Sequence, residues 1–258
     1  MRRRVKSLKE SVMLAAGAGV RVAVLDSGID PSFPLLADGR GQNFVVEDGP
    51  DGLVVTEVDR LARTDDSGHG SCVHSCARMA APEAVIDHYR ILDGDNQCSS
   101  KLLCLALDHV ISKKYQVVNL SLGTRNEAAV PWLVSIVKRA YESDTCLVSA
   151  SSNLGNSLFP GRFTYSISVG ARQGDSPMSV SFQPHRVVEF AGWGVNVPVP
   201  GPQGRTLRVS GTSYASGFVA GLCARVIETV GTSSPLDVKL TLRDMALSLD
   251  EDTRVKLV

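Results

Sequence analysis

The sequence predicts an α/β protein whose parallel sheet is covered by helices on both faces. Two observations predict it. Apolar, β-branched runs alternate along the chain with segments of helical periodicity, the order that builds strand–helix–strand units. The runs are also apolar almost without a break, as strands buried on both faces require. The 258 residues, 43% hydrophobic and 21% charged, suit one domain able to bury its own core.

The first eighteen residues read as a short helix or arm. Met1-Arg2-Arg3-Arg4 followed by Val12-Met13-Leu14-Ala15-Ala16 imitates a signal peptide, but the apolar stretch is short and Lys9-Glu10 precedes it. Residues 20–25 form the first strand and end on Asp26. Residues 71–79 read as a helix after a Gly/Ser-rich turn, and 84–91 as a strand. Residues 99–114 read as a helix, 117–120 as a strand, 131–143 as a helix, and 145–150 and 165–169 as strands. Two helices, 211–230 and 235–247, close the chain. No repeat, low-complexity segment or linker divides it.

Charge and cysteines exclude several function classes. Lys+Arg and Asp+Glu are both 27, so no basic excess points to nucleic acid. No apolar run is long enough to span a bilayer. Six scattered cysteines suit reduced thiols and an intracellular setting better than a disulfide framework, although a secreted form stays open. Cys72 and Cys76 fall four apart on one helix, a spacing that does not readily bridge, and a zinc site would need further ligands. No cofactor is expected.

Ligands of a parallel sheet gather beyond the carboxyl ends of its strands. Asp26, Ser121-Leu122-Gly123 and Asn153 directly follow predicted strands, so they share one edge of the molecule. Ser213 lies between small residues in Gly211-Thr212-Ser213-Tyr214-Ala215-Ser216-Gly217, just before a helical apolar run. Its hydroxyl therefore sits at a helix N-terminus, where free N–H groups and the helix dipole favour negative charge. His69 stands in Asp66-Ser67-Gly68-His69-Gly70-Ser71. A serine nucleophile needs a base, a group to orient the base, and donors for the oxyanion. Ser213, His69 and Asp26 can supply the first three.

Acid, histidine and serine occur in the order found in subtilisin. From about Val20 to the C-terminus the chain resembles the subtilases, the subtilisin-like serine proteases. That resemblance implies a subtilisin-like three-layer fold and a serine endopeptidase, with Ser213 as nucleophile, His69 as base and then acid, and Asp26 as orienting carboxylate. Ser149-Ala150-Ser151-Ser152-Asn153-Leu154-Gly155-Asn156 resembles the oxyanion segment, with the Asn153 amide acting beside the Ser213 N–H. The partner is then a peptide or protein bound as an added strand between 118–123 and 94–99, including Gln97, Cys98 and Ser99. Ser121, Leu122, Gly123, Ser152, Leu154 and Leu158 are expected around the primary pocket. No carboxylate is evident there, so a small or medium apolar residue is expected before the scissile bond.

His74, His88, His109 and His185 lack the glycine-flanked setting of His69 and read as structural. The family pattern is broken at Tyr214, Gly217, Ser152 and His74. The calcium-loop insertion after the histidine helix is missing, and little room precedes Val20 for a pro-domain. The chain thus resembles a minimal subtilase, suited to maturing a specific precursor or leader peptide. A separate pro-domain or inhibitor chain is a possible partner. The alternative is a weak or inactive subtilase that binds peptides as a pseudoprotease. A Gly-x-Ser-x-Gly elbow is absent at Ser213, which excludes an α/β-hydrolase esterase.

Overall fold

The structure is a computed structural model that describes residues 7–37, 40–153, 158–184 and 186–250, the last four without their side chains. The strands are β1 (Arg21–Asp26), β2 (Asn43–Gly49), β3 (Gly52–Val58), β4 (Val85–Arg90), β5 (Val117–Leu120), β6 (Cys146–Ala150), β7 (Ile167–Arg172), β8 (Val180–Phe182), β9 (Phe190–Trp193), β10 (Val197–Pro200) and β11 (Thr206–Val209). The helices are α1 (Leu8–Leu14), α2 (His69–Ala80), α3 (Ser100–Ser112), α4 (Val130–Glu142), α5 (Thr212–Val230) and α6 (Pro235–Asp250).

Among the described residues, one nine-stranded sheet runs in the order β3-β2-β4-β1-β5-β6-β7-β9-β8, and β10-β11 form a separate hairpin. The pairs from β2 to β9 are parallel, while β3 and β8 are antiparallel edges. Strand order reverses at β1, because β4 lies on one side of it and β5 on the other. The crevice at such a reversal opens at the carboxyl ends, so Asp26 at the end of β1 sits at its mouth.

Alternate residues of each strand feed two cores. Val22 and Val24 join Val117, Val148 and Val169 beneath α2, α5 and α6. Ala23 and Leu25 join Val118, Leu120 and Leu147 beneath α3 and α4. This is the predicted arrangement of helices on both faces. A third cluster places Cys72, Cys76 and Phe218 under the β10-β11 hairpin. All six cysteines are free thiols. Burial pushes the Cys72 thiol up to about 12, so it stays protonated as a core residue.

Helices α2 and α5 pack backbone to backbone through glycines. A Cβ on Gly217 would stand 2.7 Å from the Val73 carbonyl oxygen, and one on Gly221 would stand 2.5 Å from the Ala80 Cβ. Gly217 therefore serves close approach, a benefit that outweighs the helix-loosening expected of glycine. Gly221→Ala is expected to force the helices apart and destabilise the fold by roughly 1–3 kcal/mol, the range for overpacking. A lowered denaturant midpoint checks it. Glu228, also on α5, gathers the N–H groups of Ala16, Gly17 and Ala18 at 2.6–3.0 Å and ties the N-terminal arm to the same helix.

Two boundaries differ from the expectation. The helix predicted from residue 71 begins at His69 itself, so the histidine is helical and not part of a turn. The strand predicted at 165–169 runs from Ile167 to Arg172. The backbone expected to flank a bound peptide at 94–99 opens with a turn: Asp93 Oδ1 accepts the N–H groups of Asp95 and Gln97, and Asp93 N–H pairs with the Gln97 carbonyl. Strands β2, β3 and β8–β11 were not predicted from the sequence.

Candidate active site

β1 carries Asp26 to the carboxyl end of the sheet, where its side chain is fully buried. Its Oδ1 accepts the Ser27 N–H at 2.7 Å and lies 2.6 Å from His69 Nδ1. Burial alone would raise this carboxyl, but the His69 charge and hydrogen bond, then His88 and the Ser27 N–H, hold it below the ordinary value. His69 opens α2 with its side chain 20% exposed. Burial pulls His69 down, whereas the charge and hydrogen bond of Asp26, helped by Asp65, outweigh it and leave the imidazole above its ordinary value. With Nδ1–H donating to Asp26, the lone pair of the neutral ring is on Nε2.

The helix start that carries His69 is held by a carboxylate with no motif of its own, Asp65. Asp65 is 1% exposed. Its Oδ1 accepts from the Ser27 hydroxyl at 3.0 Å and the Gly68 N–H at 2.8 Å. Its Oδ2 accepts from the Ser71 N–H and hydroxyl at 2.8 and 2.6 Å. One carboxylate thus caps the first turn of α2 and ties it to the residue after Asp26. Gly70 lets the two segments touch, since a Cβ there would stand 2.3 Å from the Gly28 carbonyl oxygen. The signal in the sequence was the acidic pair Asp65-Asp66 just before a helix start.

Ser213 is the second residue of α5 and is buried, with its N–H among those that the first helical turn leaves free. Its hydroxyl donates to the Ser121 carbonyl at 3.1 Å. The Asn153 carboxamide is anchored through Oδ1, which accepts the Thr212 N–H at 2.9 Å and the Thr212 hydroxyl at 3.1 Å. Thr212 Oγ1 also reaches the Ser151 carbonyl at 2.6 Å. Anchoring Oδ1 leaves Nδ2 as the donor of that amide.

The structure brings Asp26 and His69 into contact, joins Ser213 to Ser121, and joins Asn153 to Thr212. Past β5, Thr124 and Phe159 exchange backbone hydrogen bonds of 2.9 and 3.0 Å, which lays Leu158 against Gly123. Ser121 is buried, and Leu122, Gly123, Ser152 and Leu158 are half-buried. Gln97 is exposed, Cys98 is half-buried, and the Ser99 side chain caps α3 by accepting the Leu102 N–H. Leu154 and His185 lie outside the described residues. His74 and His88 are buried, and His109 is half-buried at the end of α3. The Tyr214 ring sits 5.5 Å from that of His69.

The family model of the subtilases matches residues 17–256. The chain belongs to the subtilase family. It is a subtilisin-like serine protease by membership. This subtilase is 28% identical over 242 residues to the intracellular serine protease of Paenibacillus polymyxa, covering 86% of this chain and 71% of that protein. It is also 28% identical over 246 residues to subtilisin BL of Lederbergia lenta, covering 90% and 85%. Among solved structures, a psychrophilic protease superposes with a TM-score of 0.71 at 24% identity, covering 89% of this subtilase and 84% of the other chain. Sphericase superposes at 0.69 and 23%, covering 91% and 87%. At such identities these structures speak for the fold. No helix among the described residues is long and apolar enough to cross a membrane.

Proposed function

We propose that this subtilase is a serine endopeptidase that works through Asp26, His69 and Ser213, with Asn153 and the Ser213 N–H as the oxyanion donors. The observation that carries the reading is the 2.6 Å contact of His69 Nδ1 with Asp26 Oδ1, with the ring of Tyr214, the residue after Ser213, 5.5 Å from that of His69. Ser213 Oγ leaves the Ser121 carbonyl and gives its proton to His69 Nε2 as it attacks the peptide carbonyl. The carbonyl oxygen takes the electron pair and is met by Asn153 Nδ2–H and the Ser213 N–H. His69 then passes the proton to the leaving amine, and water releases the acyl group by the same steps in reverse roles. Asp26 stays ionised and keeps the imidazole in the tautomer that leaves Nε2 free.

Asn153→Ala is expected to lower kcat by roughly 10²–10³ with little change in KM, because the donor acts on charge that develops only in the transition state; subtilisin shows the same scale. Steady-state kinetics on one peptide checks it.

The substrate is a peptide laid as a strand along residues 121–123, with the backbone at Gln97–Cys98 facing it. Ser121, Leu122, Gly123, Ser152 and Leu158 wall the primary pocket, and none is a carboxylate. A peptide library should therefore show a small or medium apolar residue before the cut, and strong Lys or Arg selectivity would contradict these walls. The Tyr214 ring beside His69 narrows the leaving-group side, which favours processing of a specific precursor over general protein turnover. The same library separates the two, since processing gives few cleaved sequences and turnover gives many.

A further inference from the structure

Two histidines that read as structural in the sequence lie directly behind the acid. We propose that His88 is a positioning residue for Asp26: its neutral imidazole, stacked on His74, pins the turn that presents the carboxylate to His69. The inference rests on the triad reading above.

His88 is on β4, paired in register with Val24 of β1, and is fully buried. Its side chain reaches past the end of β1, where Nε2 accepts the Gly28 N–H at 3.2 Å. Gly28 has φ 111°, and a Cβ there would stand 2.5 Å from the Thr64 carbonyl oxygen, so the turn is closely confined. Two consecutive N–H groups of this turn serve the acid. Ser27 donates to Asp26 Oδ1, and Gly28 donates to His88. Without an acceptor at His88 the Gly28 N–H would be a buried orphan, and the turn would move to satisfy it. His74 belongs to α2, the helix that begins with His69. Its ring lies 6.0 Å from that of His88, with 16° between the planes. The pair therefore bridges the strand beside the acid to the helix of the base.

This link works only while both rings are neutral. Because Nε2 accepts, the proton of His88 is on Nδ1. Neither that Nδ1 nor the Nδ1 of His74 has a hydrogen-bond partner among the described residues, so a cation would be poorly supported. Burial pushes His88 down to about 4, with Asp26 and Asp65 opposing this and His69 adding to it. Burial, His88 and Arg78 push His74 well down. Arg40 and Arg60 line the small cavity beside both rings. A folded-state value below 6.5 means that the unfolded chain binds the proton more tightly. The neutral pair thus costs stability progressively as pH falls from 6.5 towards 4. Protonation turns Nε2 into a donor and ejects the Gly28 N–H.

The test pairs His88→Gln, which keeps an acceptor near the Nε2 position, with His88→Leu, which fills the space without one. The rate of fluorophosphonate labelling and peptide kinetics are read at mildly alkaline pH. ¹⁵N-histidine NMR reads the His88 tautomer and the low-field proton between His69 and Asp26. His88→Leu should lower the labelling rate and kcat by roughly tenfold at unchanged KM, the scale of one lost hydrogen bond, with the low-field proton broadened or shifted. His88→Gln should stay within about threefold of the parent, as expected where the hydrogen bond is kept. In the parent, NMR should show a neutral His88 protonated on Nδ1. A folded His88→Leu variant with parental kinetics and an unmoved low-field proton would overturn the proposal, as would a His88 protonated on Nε2. If His88→Leu does not fold, the parental tautomer and the His88→Gln rate decide. A parent that fails to label while His88 shows the expected tautomer would count against the triad reading and leave the His88–Gly28 link standing.

Discussion

His69→Ala is expected to lower kcat by roughly 10⁶-fold, the scale on which loss of this base acts in subtilisin. Removing the imidazole removes the acceptor for the Ser213 proton and the later donor to the leaving amine. Asp26 would be left buried without its partner. The fold itself should survive. His69 is the first residue of α2, its side chain is partly exposed, and the helix start is capped by Asp65 through the Gly68 and Ser71 N–H groups. Circular dichroism establishes that the variant is folded, and peptide hydrolysis measures the loss. A folded variant that loses less than about a hundredfold would show that another group takes the proton, against the 10²–10⁴ or more that positioned bases contribute.

Asp26→Asn is expected to lower kcat by roughly 10⁴-fold, the scale seen when this acid is replaced in serine proteases. An amide in the same place can offer an NH₂ group to His69 Nδ1, which favours the tautomer with the proton on Nε2, where it cannot accept from Ser213. The pH dependence should move as well. In the parent, burial lowers the His69 value but the Asp26 charge and hydrogen bond raise it further, so the basic form gains only above the ordinary histidine range. Without the negative charge, the imidazolium is less favoured and the acid limb of kcat/KM moves to lower pH. A limb that stays put, or moves upward, would contradict the assigned role of Asp26.

The site residues that follow strands or open helices were legible in the sequence. Asp26, Ser121 and Asn153 stand directly after or just beyond apolar runs, and Ser213 precedes a periodic one, so local pattern fixes their place in a parallel sheet. Contacts between distant segments were not legible. Asp65 caps α2 from outside the helix, while the N-cap position holds Gly68 with φ 77° and no side chain to announce a start. The helix therefore starts two residues before local pattern places it. Asn153 was expected to act beside the Ser213 N–H, but nothing local showed that Thr212 would anchor its oxygen. His88 was unremarkable in a β4 run because the Gly28 N–H it accepts is 60 residues away in sequence. The missed strands have their own reasons. β2 and β3 meet at Pro50-Asp51 within Asp48-Gly49-Pro50-Asp51-Gly52, a fair hairpin signal, whereas β10 carries Pro198 and Pro200, which argue against a strand in any local reading.

Every step proposed above requires Ser213 to be a competent nucleophile. Fluorophosphonate labelling of the folded protein, read by intact mass with Ser213→Ala as control, tests it most directly. A single adduct that disappears in the control is the expected result. A folded protein that takes no adduct, or one that keeps the adduct after Ser213→Ala, would contradict it.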